Sequence, residues 1–205
     1  MRVPAAIRWP GTVEPGTIVN DIMSHEDWIP TLMAAAGVDD IAGKLREGYE
    51  ANGTTWRVHL DGYDFGPYFR GETDQSPRNE IMYFGQGGEL NAVRYADWKV
   101  NFAGIEGNIA LGTREVTNWP IIVNLREDPY EMMPFHSEMY LRWYIDQMWV
   151  MVPMQQVIKN FFATIPDYPF QAGSSLSVAN VGYATLRQEQ ALRRLEDLEE
   201  LSVAQ

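Results

Sequence analysis

One short cluster combines residue types that could do acid–base chemistry or hold a metal ion. His25, Glu26 and Asp27 are consecutive, and an imidazole beside carboxylates is typical of general bases and of metal ligands. The same residues also fit the start of a helix, because Ser24 can cap the first turn and Asp27 can bond back to it. His25 is therefore a candidate for the rim of a substrate site. Helix capping, or an ordinary surface position, is the commoner explanation of this pattern.

Three other features that could carry chemistry have simpler structural explanations. His59 lies in a strand-like context, and His136 has no histidine or cysteine three or four residues further on. Gly85–Gly88 invites a phosphate-loop interpretation, but it lacks the Gly-x-Gly-x-x-Gly spacing and no helix pattern follows it. We therefore interpret both histidines as structural and the glycines as a hairpin loop.

Two pairs of carboxylates could in principle divide acid and base roles between them. Asp61 and Asp64 form one pair, and Glu127 and Asp128 form the other. However, Asp61 begins an Asp-Gly dipeptide and Asp128 an Asp-Pro dipeptide, and both dipeptides are typical of tight turns. Turn formation is the favoured interpretation, so we predict no catalytic residue and no metal ligand in this chain.

The composition excludes several classes of function. The 205 residues carry a net charge of −12, which argues against nucleic-acid binding because phosphate recognition needs clustered lysine and arginine. There is no cysteine, so disulfides, cysteine-ligated zinc and thiol catalysis are excluded. No stretch approaches the roughly 18 uninterrupted apolar residues of a membrane span. The first residues lack the pattern of a secretory signal, so we expect a soluble chain whose compartment the sequence does not indicate.

The first half of the chain predicts one strand, one helix and several turns. Residues 3–9 are strand-like and end at Pro10-Gly11, and Trp28 to Ala36 forms an apolar helix followed by Gly37. Residues 39–55 are polar and predict a surface loop with a short helix, and residues 65–70 predict a helical turn. A strand at 3–9 has no earlier element to pair with. We therefore expect this chain to be the C-terminal part of a larger enzyme.

The second half changes to a period typical of strands. The predicted strands are residues 80–84, 90–95, 98–103 and 120–125, which together suggest a small antiparallel sheet. Residues 137–165 have aromatic and aliphatic side chains at helical spacing, and Pro153 should break or kink that helix. The stripe from Met139 to Met154 could be a ligand groove, although core or subunit packing is commoner. Residues 166–205 predict a loop and an amphipathic helix over 185–201, so the fold class is α+β.

Several segments, in their order along the chain, resemble a known enzyme family. They are residues 2–11 (RVPAAIRWPG), 24–37 (SHEDWIPTLMAAAG), 60–62 (LDG), 94–99 (RYADWK) and 124–129 (NLREDP). This set resembles the C-terminal portion of a type I, formylglycine-dependent sulfatase of the arylsulfatase kind. The resemblance covers most of residues 1–165.

The resemblance implies an alkaline-phosphatase-like α/β domain followed by a smaller domain in which a four-stranded antiparallel sheet packs with a helix. Residues 1–73 would be the last strand, helix and loop of the large domain, and residues 78–165 the small C-terminal domain. Residues 166–205 would follow as the loop and amphipathic helix.

The resemblance also implies cofactors that this chain does not itself supply. In the family, a Cys- or Ser-x-Pro-x-Arg motif matures to formylglycine, and calcium held by Asp and Asn side chains offsets the sulfate charge. Ser76-Pro77-Arg78 has the wrong spacing for that motif, and the metal ligands are not found in recognisable context. We therefore expect no cofactor in this chain, and calcium and formylglycine in the complete enzyme.

The implied reaction of the complete enzyme is hydrolysis of a small sulfate ester, with this chain inactive alone. Its expected partner is a missing N-terminal catalytic domain, or a second copy of itself through self-association. Two alternatives stay open. One is a free-standing, non-catalytic binding or assembly module, and the other is a phosphate- or phosphonate-ester hydrolase of the same superfamily.

Overall fold

The N-terminal residues do not form the predicted strand. The computed structural model describes residues 3–85, 88–105 and 112–169, and residues 3–9 have no strand conformation in it. Within these ranges the backbone of residues 3–8 makes no hydrogen bond, so a β-prone sequence has no neighbouring strand to pair with. The turn predicted at Pro10-Gly11 is present, since the Thr12 and Val13 amides both donate to the Trp9 carbonyl.

The chain divides into two compact units, Met1–Ile81 and Met82–Gln205. The first contains the predicted apolar helix, α1 (Trp28–Ala35), which a 3-10 turn precedes at His25–Asp27. Gly37 follows it with φ of 86°, the left-handed conformation that ends many helices and that glycine adopts without strain. The predicted helical turn is α3 (Gly66–Phe69), beside the fully buried Phe65.

Residues 39–55 are more regular than the sequence predicted. They form α2 (Ile41–Glu47) and a hairpin of β1 (Tyr49–Ala51) and β2 (Thr54–Trp56). The short helix was expected, but the hairpin was not. Its turn is Asn52-Gly53, with both residues at positive φ, which is the chemistry that a two-residue hairpin requires.

The second unit is built on the predicted antiparallel sheet. The strands are β3 (Glu80–Phe84), β4 (Leu90–Tyr95), β5 (Trp98–Ile105) and β6 (Arg114–Asn124), hydrogen-bonded in that order. The bounds of β3 and β4 agree with the prediction. β6 begins six residues earlier than predicted, because its first half pairs with the end of β5 beyond an irregularity between Asn101 and Ala103.

Three helices follow the sheet: α4 (Met133–His136), α5 (Tyr140–Asp146) and α6 (Met151–Phe162). The predicted helical break is real but lies at Gln147–Val150, where the chain forms a 3-10 turn. Pro153 lies in the first turn of α6, where a missing N–H costs little, so it marks the start of that helix and does not kink it.

The core of the second unit lies between the sheet and these helices. Its buried side chains come from three strands and from the helical segment: Val93, Val100, Ile122, Tyr144, Val150 and Met154. The arrangement is a mixed α+β fold with a small antiparallel sheet packed against helices, as predicted. Among the residues described, no helix is long and apolar enough to cross a membrane. The helix predicted over 185–201 lies outside them.

Candidate functional site

The cluster of His25, Glu26 and Asp27 lies on the 3-10 turn before α1. The backbone N–H of Ser24 donates to Asp27 Oδ2 at 2.7 Å, which is the carboxylate half of the predicted capping box. Asp27 is completely buried, whereas the side chains of His25 and Glu26 reach the surface. The turn therefore separates the cluster, with one acid pointing inward and two neighbouring groups presented outward.

Asp27 is paired with Arg78, for which the sequence predicted no partner. Arg78 is 3% exposed and Asp27 is 0% exposed. The Arg78 Nε–H donates to both Asp27 oxygens at 3.0 and 2.8 Å, and Nη2 donates to Oδ1 at 2.7 Å. A bidentate pair of this kind is among the strongest hydrogen-bonded contacts in proteins.

Each nitrogen of the Arg78 guanidinium has a partner. Nη2 also donates to the Asp61 carbonyl at 2.7 Å, and Nη1 donates to the Glu80 carbonyl at 3.1 Å. Nη1 also forms an ion pair with Glu26 Oε1 at 2.7 Å. The guanidinium also lies 4.8 Å from the centre of the Tyr63 ring, a cation–π distance. All three guanidinium nitrogens are therefore engaged within the protein, so Arg78 is not free to bind a sulfate oxygen.

The loop over residues 61–65 is hydrogen-bonded to the Asp27–Arg78 pair. Asp27 Oδ1 accepts from the Tyr63 amide at 2.8 Å, and the buried Thr31 hydroxyl accepts from the Phe65 amide at 2.9 Å. Gly62 allows this approach, because a Cβ there would lie 2.1 Å from the Glu26 carbonyl oxygen. The predicted Asp-Gly turn is therefore also a close contact between two backbones.

The electrostatics of this network follow from burial and from the neighbouring charges. Burial alone would lower the pKa of Arg78, but hydrogen bonds to Asp27 and the charges of Glu26 and Asp27 raise it above its ordinary value. Partial burial raises the pKa of Glu26, against the attraction of Arg78. Burial and a hydrogen bond to Glu80 raise the pKa of Tyr63 to about 12. The arginine and the phenol therefore keep their protons at neutral pH.

The remaining candidates have local structural roles. Nδ1 of His59 lies 3.2 Å from Asp61 Oδ1, and Asp64 Oδ1 accepts from the Gly66 amide at the start of α3. Asp128 accepts from the Met132 and Met133 amides at 3.0 and 2.7 Å, which caps α4. These contacts agree with turn and cap formation.

His136 and the glycine loop also take ordinary positions. His136 is exposed at the end of α4. The Gly85 amide donates to the Glu89 carbonyl at 2.8 Å, which closes a hairpin. Gln86 and Gly87 lie outside the described residues.

The Ser-Pro-Arg sequence is not arranged as a nucleophile. The Ser76 hydroxyl lies 3.0 Å from the Ile22 carbonyl and 3.3 Å from the Arg78 carbonyl, which are its acceptors. Since Arg78 is committed to Asp27, neither polar side chain of this sequence is available to a substrate. No local sequence pattern marks Arg78, which lies two residues before β3, because its partner Asp27 is 51 residues away.

A second polar cluster lies on the sheet of the second unit. Lys99 Nζ contacts both Glu131 oxygens at 2.7 and 2.8 Å, and the Asn101 amide donates to the same carboxylate at 3.3 Å. Lys99 also lies 5.1 Å from the centre of the Tyr83 ring. Glu131 has φ of 57°, so the turn after β6 holds a strained backbone to place this acid. The cluster joins β5 to that turn.

The described residues do not fit a calcium ion. Within residues 3–85, 88–105 and 112–169 there is no group of three or more His, Asp and Glu side chains that could hold a metal. Asp27, the most buried carboxylate, already accepts from Arg78, Tyr63 and Ser24. The depression between β6 and α4–α5 has no enclosed room for a water molecule, whereas typical ligand sites measure roughly 300–1,000 Å³.

The sequence of this chain is similar to those of two sulfatases. The chain is 28% identical to mouse (Mus musculus) steryl-sulfatase over 157 residues, which cover 67% of this chain and 23% of that protein. It is 24% identical to human (Homo sapiens) steryl-sulfatase over 191 residues, covering 83% of this chain and 30% of that protein. No family model matches the chain. The matched part is thus less than a third of either relative's length, and these similarities confirm the predicted resemblance to the C-terminal portion of a sulfatase.

Proposed function

We propose that this chain is the C-terminal part of an arylsulfatase-like sulfuric ester hydrolase. The complete enzyme would hydrolyse a small sulfate ester to an alcohol or phenol and sulfate. The main support is the similarity to two steryl-sulfatases together with the ordered segments that carry the family resemblance. Under this proposal, residues 1–73 end an alkaline-phosphatase-like large domain, residues 78–165 form the small domain, and residues 166–205 follow it.

The chemistry would be supplied from outside this chain. A formylglycine nucleophile and a calcium ion are expected in the complete enzyme, and the described residues offer no place for either. The described residues would contribute by holding other groups in position. The saturated Asp27–Arg78 pair fixes the turn before α1, and His25 on that turn would lie at the rim of the substrate site.

The N-terminal segment supports the proposal that another polypeptide region is needed. Val3 is 72% exposed and Ile18 is 83% exposed, and residues 3–8 form no backbone hydrogen bond to the described part of the chain. On α1, Ile29 and Leu32 are also more than half exposed. Exposed apolar side chains, beside backbone groups without hydrogen bonds, fit a segment that packs against another polypeptide region. The N-terminal catalytic domain would be that region.

The proposed inactivity of the isolated chain is tested by assaying it with an aryl sulfate in the presence of calcium. We expect no hydrolysis above the rate of buffer alone, because the chain has no cysteine and Ser76 is hydrogen-bonded to backbone carbonyls. Hydrolysis that co-purifies with the chain and is lost in an Asp27→Asn variant would contradict inactivity. On the complete polypeptide, parallel assays with aryl sulfate and aryl phosphate separate the sulfatase from the phosphate-ester alternative.

A second candidate function is a free-standing, non-catalytic assembly module. The observation that favours it is the number of large apolar side chains that the helices of the second unit expose, such as Leu141, Trp149 and Val152. Surfaces of this kind commonly bind other proteins. The coding sequence that precedes Met1 separates the two candidates, since a module with its own promoter would have no sulfatase sequence before it.

A further inference from the structure

The tip of the β1–β2 hairpin carries a side chain and a backbone amide that can react with each other. Asn52-Gly53 is the only Asn-Gly dipeptide in the sequence. Both residues are exposed, and neither the Asn52 side chain nor the Gly53 amide makes a hydrogen bond to the described part of the chain. A Cβ at Gly53 would meet nothing within 4 Å. The two groups are therefore free of competing partners and of steric obstruction.

The chemistry open to them is an intramolecular attack on the side-chain amide. The Gly53 nitrogen bonds to Asn52 Cγ, the Cγ–Nδ2 bond breaks, and Nδ2 leaves as ammonia with the proton that the Gly53 nitrogen loses. The product is a cyclic imide, a succinimide, which a water molecule from the solvent then opens. Opening at Cγ yields aspartate, and opening at the backbone carbonyl carbon yields isoaspartate. Glycine favours the attack, because it has no Cβ to crowd its nitrogen and adopts backbone angles that other residues avoid.

The hairpin gives its turn little protection against this reaction. Its strands share three residue pairs, from Tyr49–Trp56 to Ala51–Thr54, and every residue of β2 is exposed. Two-stranded hairpins are marginally stable in water, so such an element opens more readily than the packed parts of a fold. Each opening releases Asn52 from the φ of 52° that it has in the turn. The side chain can then approach the Gly53 nitrogen.

We propose that Asn52-Gly53 is a self-modifying site, at which Asn52 converts to aspartate or isoaspartate, and that the isoaspartate form loses the β1–β2 turn. Both products add a negative charge to a chain that already carries −12. Isoaspartate also inserts a methylene group into the backbone, which the two-residue turn does not accommodate. Aspartate leaves the backbone unchanged and tolerates positive φ. The proposal goes beyond the sulfatase function and does not depend on it.

The first test is mass-spectrometric peptide mapping of the full 205-residue chain after incubation at mildly alkaline pH. Conversion replaces NH2 by OH, which raises the mass by about 1 Da. Asn79 and Asn118 are the internal controls, because both are exposed and neither precedes a glycine. We expect Asn52 to convert about tenfold faster than either control. Electron-based fragmentation of the Asn52 peptide should identify isoaspartate among the products.

A variant separates the added charge from the altered backbone. Asn52→Asp has the charge of the products and an ordinary peptide backbone, so its hairpin should match that of the original chain. Amide hydrogen exchange over residues 49–56 is the measurement. We expect faster exchange in the isoaspartate form than in Asn52→Asp, because only isoaspartate lengthens the turn.

Two results would overturn the proposal. The first is an Asn52 that converts no faster than Asn79 and Asn118 in the folded chain and reacts only in urea, since the turn would then protect it. The second is an isoaspartate form that exchanges its hairpin amides as slowly as Asn52→Asp. Neither result changes the expected outcome of the aryl sulfate assay.

Discussion

At the scale of single residues, the most consequential contact is the buried ion pair between Asp27 and Arg78. Removing two charges from water is costly, and the cost is offset only where hydrogen bonds satisfy both groups. Here each guanidinium nitrogen has a partner, and both carboxylate oxygens accept hydrogen bonds. The pair therefore holds the turn before α1, the loop over 61–65 and the start of β3 in one arrangement.

Loss of the Asp27 charge should destabilise the first unit strongly. Asp27→Asn removes the buried counter-charge of the guanidinium and leaves only the exposed Glu26, and breaking a buried pair costs about 3–5 kcal/mol. Hydrogen exchange at the Tyr63 and Phe65 amides, together with urea unfolding, would measure the loss. Asp61→Asn is the control, because Asp61 binds Arg78 only through its carbonyl. An Asp27→Asn variant as stable as that control would refute the assigned role.

The contribution of Glu26 to folding stability should change with pH in the opposite direction from that of a typical salt-bridged acid. Its folded-state pKa is raised above 4.5 by partial burial, so the stability it contributes is present below pH 4.5 and is lost as pH rises through the raised value. At pH 7 the Glu26→Gln variant should therefore melt at or above the temperature of the original chain. The difference should vanish near pH 4. A lower melting temperature for Glu26→Gln at pH 7 would show that attraction to Arg78 outweighs burial.

At the scale of elements, the strands and capped helices were predictable, and the pairings between distant segments were not. β3 and β4 follow from residue alternation between turn residues, and α1 follows from Ser24, Asp27 and Gly37. The predicted strand at 3–9 was wrong, because strand propensity is realised only when a neighbour supplies hydrogen bonds. The Arg78 pairing joins residues 51 positions apart, and no local pattern encodes such a contact.

The edge of the sheet depends on one tyrosine from α5. The Tyr140 hydroxyl accepts from the Ile122 amide at 3.1 Å and donates to the Ile122 carbonyl at 3.0 Å, beside a fully buried side chain. Tyr140→Phe should leave both backbone groups unsatisfied and cost about 1–3 kcal/mol. Thermal unfolding of this variant should show a clear loss beside Tyr130→Phe, whose ring is 85% exposed. Equal stabilities would mean that water replaces the hydroxyl.

At the scale of the whole molecule, the chain is similar to part of two steryl-sulfatases. The aligned residues cover 23% and 30% of the two steryl-sulfatases. Within the described residues, the buried polar groups satisfy one another. The family resemblance could be predicted from short segments and their order along the chain. The place of His25 at the rim of a substrate site stays a prediction.

The most direct test of the sulfatase proposal is the coding sequence immediately before the Met1 codon. We predict that this sequence encodes, in frame or after a frameshift, a Cys- or Ser-x-Pro-x-Arg motif. Unrelated sequence with a promoter and a ribosome-binding site of its own would contradict the account, and the assembly-module function would then be the better explanation of this chain.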